Sequence, residues 1–325
     1  MRRYTAAVPD ATALETAFHS SERKLWGLCY RMTGVAADAD ELVQEAFARA
    51  AAAGSSLAGV DLERWLVRVA TNLSIDCLRR RKRRPYHGSW LPSPVEFDER
   101  LPDADLPDTH AVSVDRRIEL AEQVSYALLV ALEALSPRAR AALILIDVLD
   151  WSAAEAAGLL GTTEGNVRVL HHRARRTIQF LDIDAAASPA GLRRQTEALE
   201  RFVICMMQQD ADAMAALLAE DVRSITDGGG RYTALREPLT GKAAVIRFHL
   251  ETARRRAPIS RSELRVVNGA AAFVVATQPA RPQMAPQLVL RCEVDEDGSI
   301  VVIQTVLAPR KLTAVRFLPP PVLSV

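Results

Sequence analysis

Apolar residues recur at three- and four-residue spacing through residues 14–53, with Leu25, Leu28, Cys29 and Met32 on one stripe. That period predicts helix, broken by one turn at Thr33-Gly34. Gly54-Ser55-Ser56 opens a loop. Trp65, Leu66, Val69, Leu73, Ile75 and Leu78 supply the buried side of a second helical stretch over 62–83, which Pro85 ends. From Gly88 to about Ser113 proline and acid replace the periodicity, the mark of a linker. Helix resumes over 114–135. Ser136-Pro137 is a cap and first-turn pair for a helix reaching Asp147. Ser152 caps a short helix to Leu160, Gly161 makes a turn, and Thr162 or Thr163 caps a helix to about Leu181. After a second linker at 185–191, residues 195–218 read as helix. Beyond Pro258 the pattern predicts strands at 262–267, 270–276, 287–295 and 300–307, with Asp297-Gly298 a hairpin turn between the last two. Helices followed by antiparallel strands imply a separate α+β domain. There is no internal repeat, and the Pro319-Pro320-Pro321 tail is expected to be disordered.

The 325 residues suit two or three domains, and 49% hydrophobic with 25% charged residues fits a globular chain. No apolar run reaches the ~18 residues of a membrane span, and Met1-Arg2-Arg3-Tyr4 lacks a signal peptide's apolar core, so a cytoplasmic protein is expected. Cys29, Cys77, Cys205 and Cys292 lie far apart and read as reduced thiols. A formal charge of +1 says little by itself. Its distribution says more: basic residues cluster at 79–84 and 168–176, acidic ones at 38–45 and 98–108. Such segregation permits a DNA-binding face on a nearly neutral chain.

Three segments carry candidate chemistry. Residues 152–177 form a helix–turn–helix whose second helix is basic; in such a unit that helix enters the major groove. Its N-terminal part holds Thr163, Glu164, Gly165, Asn166 and Arg168, and Arg and Asn suit guanine and adenine edges. His171, His172, Arg173, Arg175 and Arg176 lie where phosphate contacts belong. A helical hairpin with a solvated basic face has the same pattern. His171-His172 is a poor metal pair, since adjacent helical residues point about 100° apart. The second segment runs from Trp65 to Arg81 and joins an aromatic-anchored helix to a basic end, as a melting duplex requires. The third runs from Asp38 to Phe47, an acidic face backed by Leu42, Val43 and Phe47 that suits a basic partner helix or plain solvent.

Taken together, Arg31-Met32-Thr33-Gly34, the Asp38–Phe47 stretch, the Trp65–Arg81 helix and Gly161…Val167-Arg168…His172-Arg173-Ala174-Arg175 resemble regions 2 and 4 of extracytoplasmic-function sigma factors of the sigma-70 class, over roughly residues 13–182. The resemblance implies a subunit that binds the RNA polymerase core, through its β′ clamp and β flap, and promoter DNA. Glu41, Gln44 and Glu45 match the face for the β′ coiled coil. The loop at 54–61, with Ser55 and Ser56, and Asn72 match the pocket for a flipped −10 base. Arg79 and Arg80 would follow the DNA backbone. Thr163, Glu164, Asn166, Arg168, His171, His172, Arg173 and Arg175 lie on the −35 reader.

Trp90-Leu91-Pro92-Ser93-Pro94 and Asp227-Gly228-Gly229-Gly230-Arg231 are similar to motifs of a sigma-J-like subgroup with a C-terminal SnoaL-like, NTF2-type cone domain, and the segment 241–248 fits that domain. Trp90, Pro92, Asp227, Gly228, Gly229, Gly230 and Arg231 are the expected interdomain regulatory residues, through which the third domain would pack against the two sigma domains, set their spacing and modulate activity. Where the subgroup often has Asn-Pro-Asp-Lys-Leu, this chain reads Ala308-Pro309-Arg310-Lys311-Leu312, a charge reversal at Arg310. The expected organisation is two all-α sigma domains, 13–87 and 114–184, linkers 88–113 and 185–192, a SnoaL-like domain 193–313 and a tail 314–325. No cofactor or metal is expected, and the chain is not expected to be an enzyme. SnoaL-like folds include cyclases and isomerases, for which Asp221, Asp227 and His249 are the available acids and bases, and a pocket for an unknown small ligand is a further reading. For the whole chain the alternative is an independent helix–turn–helix regulator.

Overall fold

The computed structural model describes residues 11–57, 59–83, 86–96, 126–178, 189–315 and 317. The Pro85 stop, most of the first linker, the start of the helix expected from 114, the helix end at 179–181, the linker residues 185–188 and the proline tail lie outside the described residues, as does the Ser55 side chain. The chain divides into two compact units: Met1–Pro85 with Asp98–Asp182, and Tyr86–Phe97 with Ile183–Val325.

Among the described residues, the regular elements of the first unit are all helical. α1 (Ala11–Thr33), α2 (Ala36–Ala53) and α3 (Leu62–Arg83) pack around Leu25, Leu28, Cys29, Met32, Val43, Leu66 and Leu78, all buried. Trp65, Val69 and Leu73 sit half-buried at its margin. The turn at Thr33-Gly34 works as expected: Gly34 takes φ +67°, and the Thr33 hydroxyl donates back to the Cys29 carbonyl at 2.8 Å. Asp61 accepts the Arg64 amide at 3.1 Å and starts α3. α4 (Tyr126–Glu133), α5 (Pro137–Asp147), α6 (Ala153–Leu160) and α7 (Glu164–Ile178) are the unit's other described α-helices. Ser136 caps α5 with Pro137 at its first turn, and Ser152 and Glu155 close a reciprocal capping box on α6.

The second unit is α+β. α8 (Pro189–Gln208), α9 (Ala211–Leu217) and α10 (Lys242–Arg255) accompany a six-stranded sheet of β1 (Leu218–Asp227), β2 (Leu239–Thr240), β3 (Ile259–Val267), β4 (Ala270–Thr277), β5 (Gln287–Val294) and β6 (Ile300–Val306) in the order β2-β1-β6-β5-β4-β3. The helices and one sheet face enclose Leu199, Phe202, Val222, Val245, Leu290, Cys292 and Ile303. This is the helices-on-a-sheet arrangement that the SnoaL-like, NTF2-type resemblance implied.

Three expectations need correction. The helix expected over 195–218 is two helices: it starts at Pro189, inside the expected linker, and breaks at Gln209, whose φ is +60°. Asp210 then caps α9 by accepting the Ala213 amide at 2.9 Å. β1, β2 and α10 belong to a stretch for which no element was expected. The strands are not all antiparallel, because β1 pairs with β6 in parallel. The inward positions of β1 explain the omission: Val222 is followed by Ser224 and Thr226, buried but polar, so no apolar alternation marks the strand.

Candidate nucleic-acid interface

In the first unit the helix–turn–helix is built as its sequence required. Gly161 adopts the left-handed conformation at φ +60°, ψ 48°, which lets α6 turn into α7 without strain. The Thr163 hydroxyl accepts the Asn166 amide at 3.3 Å, and Asn166 Nδ2 donates to the Thr162 hydroxyl at 2.8 Å. Val167 and Ala174 face the core. Thr163, Glu164, Asn166, Arg168, His172 and Arg173 are exposed together on the outer side of α7. Arg168 pairs with Glu164 one turn back at 2.5 Å, and Arg168 remains 72% exposed. His171 and Arg175 are directed differently: both reach Asp147 at the end of α5, each at 2.8 Å. The expected reader thus separates into an exposed first half and two residues already engaged with a carboxylate.

Glu41, Gln44 and Glu45 are exposed at successive turns of α2, over buried Leu42, Val43 and Ala46. Glu45 holds Arg49 at 2.8 Å in a solvent-facing pair. Asp38 and Asp40 are spent internally, on the Cys77 thiol and the Trp26 indole N–H. Asn72 is exposed on α3, and the Ser56 hydroxyl donates to the Ala53 carbonyl at 2.7 Å. Arg79 and Arg80 are exposed, Arg79 lightly paired with Asp76 at 3.2 Å.

Sequence reasoning missed the charged cluster that joins α1 and α3 to α4 and α5. Arg140, 2% exposed, donates to the carbonyls of Met32 and Leu132 and to Glu133 at 3.0 Å. Arg81 donates to the Thr33 carbonyl at 2.7 Å and grips both oxygens of the same Glu133. Two arginines thus meet the carbonyl end of α1, where the helix dipole favours cations. Burial lowers the Arg140 pKa, and Glu133 opposes that shift. A signal was present: Arg140 interrupts the apolar run of α5 at a core-facing position. Arg64 adds a bond to Glu155 at 2.5 Å and lies over the Trp151 ring. Glu155 is held down to about 2 by its bonds to the Ser152 hydroxyl and amide, and by Arg64.

In the second unit the two motifs read from sequence meet. Asp227, fully buried at the end of β1, accepts from the Tyr86 hydroxyl, the Leu91 amide at 2.8 Å, the Gly229 amide at 2.9 Å and the Lys311 ammonium at 2.5 Å. Lys311 is itself buried, 4.4 Å from the Trp90 ring centre and 4.8 Å from that of Tyr86. Gly229 has φ +61°, and a Cβ there would stand 2.8 Å from that of Ala308. Gly228 is buried; Gly230 and Arg231 are exposed, Arg231 over the Tyr232 ring. Pro92 is buried in a strap, residues 86–96, that runs from the end of β1 to the β3–β4 turn, where Val95 and Asn268 exchange backbone and side-chain bonds. Lys311, Tyr86 and Asn268 were not singled out beforehand. Lys311 stood in the altered 308–312 stretch, and Asn268-Gly269 is a turn pair.

The candidate acids and bases do not converge. Asp221 is exposed. His249 sits in the helix-side core, its Nε2 2.9 Å from the Ser224 hydroxyl, with the Phe202 and Phe248 rings edge-on at 5.1 Å. Burial pushes His249 down to about 4. Ser224 and Asp227 are three residues apart on one strand, so their side chains leave opposite faces of the sheet.

Comparison with known proteins agrees with this layout. The family description Sigma-70 region 2 matches residues 17–84, and Sigma-70, region 4 matches residues 125–178. Over 305 residues the chain is 32% identical to the ECF RNA polymerase sigma factor SigJ of Mycobacterium tuberculosis, spanning 91% of this chain and 92% of that one. It is 37% identical over 216 residues to SigG of the same organism, 61% of this chain and 57% of the other. The crystal structure of Mycobacterium tuberculosis SigJ aligns with a TM-score of 0.66 at 28% identity, covering 92% of this chain and 98% of that one. Two sigma-70 regions in order, and a relative matched almost end to end, place the chain among the extracytoplasmic-function sigma factors of RNA polymerase.

Proposed function

We propose that the protein binds the RNA polymerase core through α2, recognises −10 and −35 promoter elements through α3 and α7, and directs transcription initiation. The observation that carries this reading is the exposed first half of α7, where Asn166 and Arg168 stand free of the core on a helix–turn–helix. Glu41, Gln44 and Glu45 are the polymerase contacts, against the β′ clamp, with the β flap receiving region 4. Asn72, Ser55 and Ser56 serve the −10 base, Arg79 and Arg80 its backbone. The working domain limits are 13–87, 114–184 and 193–313. In-vitro transcription with sigma-free core is the direct test: a promoter-specific transcript is expected, and none under conditions where a control sigma works overturns the reading. Glu41→Lys with Glu45→Lys should weaken core binding at least tenfold with circular dichroism unchanged, because reversing charge on an exposed docking face chiefly harms association.

The third domain, in this reading, is a regulatory module that contacts protein and performs no chemistry. Asp227 already receives four hydrogen bonds, and His249 lies across the sheet from it, so these two do not form an acid–base pair. Gly229→Val should change promoter output while core binding persists.

A further inference from the structure

We infer that Thr162 and Val169 are specificity-determining residues of the −35 reader, which with Asn166 select an adenine and a thymine in the adjoining base pair. The inference rests on the assignment of α7 as that reader. Thr162, Asn166 and Val169 follow four- and three-residue spacing, so the turn residue and the two helical ones stand in one row.

The turn sets the first member of the row. Left-handed Gly161 brings the Thr162 amide onto the Ala157 carbonyl at 3.1 Å. The Thr162 hydroxyl is then placed to accept one hydrogen of the Asn166 amide nitrogen at 2.8 Å. The Asn166 backbone is held as well, because its N–H donates to the Thr163 hydroxyl at 3.3 Å. An exposed asparagine otherwise turns about two side-chain bonds and offers either end of its amide to a base. Held by Thr162, Asn166 keeps one N–H and its carbonyl oxygen for the groove. Adenine presents the matching acceptor at N7 and donor at N6, whereas guanine presents two acceptors, of which one N–H serves only one. Thr162 is thus a positioning residue: it acts on the base through Asn166.

Val169 lies one turn beyond Asn166 and is 47% exposed. An apolar side chain on that surface contributes nothing to phosphate binding, which draws on charged and polar groups. It matches the thymine C5 methyl, the apolar group that the major groove offers. Three residues of helix advance about 4.5 Å, close to the ~3.4 Å rise of one base step, so the methyl belongs to the neighbouring pair.

The test uses holoenzyme assembled from full-length protein and sigma-free core, so that base preference and overall affinity are read separately. Binding-site selection should return adenine at one −35 position and thymine in the adjoining pair. Thr162→Val, which keeps the shape and removes the hydroxyl, should reduce the preference for adenine over guanine about fivefold or more. Thr162→Ser should restore it, with melting temperatures alike. 7-Deazaadenine at that position, which lacks N7, should weaken binding by the parent more than by Thr162→Val. Uracil in place of the thymine should weaken the parent about threefold, the scale of one buried methyl group, and leave Val169→Ala unaffected. An unchanged adenine preference in Thr162→Val, or an equal loss for all four bases, reduces Thr162 to a helix-start contact and overturns the inference. So does a uracil effect that persists in Val169→Ala, or a loss of core binding there. Holoenzyme that selects no −35 sequence at all fails the reader assignment itself, whereas selection indifferent to both substitutions fails this inference alone.

Discussion

Two arginines on α7, seven residues apart, have different neighbours and should fail differently when removed. Arg168 is 72% exposed and pairs with Glu164, whereas Arg175 is tied to Asp147. Arg168→Ala should change preference at one −35 position by about 1–3 kcal/mol, read by a binding-site selection profile. Arg175→Ala should lower affinity evenly and reduce its salt dependence. Identical selection profiles for the Arg168 variant and the parent would remove Arg168 from base reading. Asp227 is the other residue whose role can be weighed. Replacing it by Ala leaves the buried Lys311 ammonium without its carboxylate, a loss of about 3–5 kcal/mol by analogy with broken buried pairs. Amide exchange at residues 89–96 should accelerate in Asp227→Ala, and unchanged protection there would show that the strap is held by packing alone. Asp227 was legible in sequence because it stands before three glycines. Its partner Lys311 was not, since a lysine reads as surface until its burial is seen.

At the scale of elements, legibility followed apolar contrast. α1 to α3 carry clear stripes and α5 to α7 clear caps, and the sequence placed them within a few residues. β1 buries two hydroxyl side chains where a strand normally shows apolar ones, and it pairs in parallel with a strand far along the chain, so neither composition nor a local turn announced it. The cost of that polar interior falls on α10. His249 is buried beside Ser224 with its pKa held to about 4, below its ordinary 6.5. The unfolded chain therefore binds a proton that the folded chain refuses between those values. Stability from this group is complete above about pH 6.5 and is lost as the pH falls toward 4, on the order of 3 kcal/mol at the limit. Thermal melts at pH 7 and pH 5 should separate more for the parent than for His249→Gln; equal separation would mean that His249 does not titrate in this way.

For the whole molecule, the informative feature is Arg140, which ties region 4 to the carbonyl end of α1 in region 2. Arg140→Met should loosen the pairing of the two regions while α5 keeps its apolar packing. X-ray scattering should report a larger radius of gyration, and promoter DNA affinity should rise. Unchanged scattering with intact helicity would mean that other contacts suffice, and Glu133→Gln, which weakens both arginine pairs, provides the independent check.

That same cluster sets a problem of reach. The elements to be read are centred roughly 25 base pairs apart, about 85 Å along B-form DNA. A compact body of about 170 residues has a radius of gyration near 15 Å and a breadth of about 40 Å. While Arg140 holds Met32, the two readers share a body about half as long as the site they must span. Bridging a promoter therefore requires those bonds to be surrendered, and the apparent affinity for DNA is the intrinsic affinity scaled by the fraction of molecules already parted. Spacer length should accordingly matter more to the parent than to a protein whose halves are unfastened.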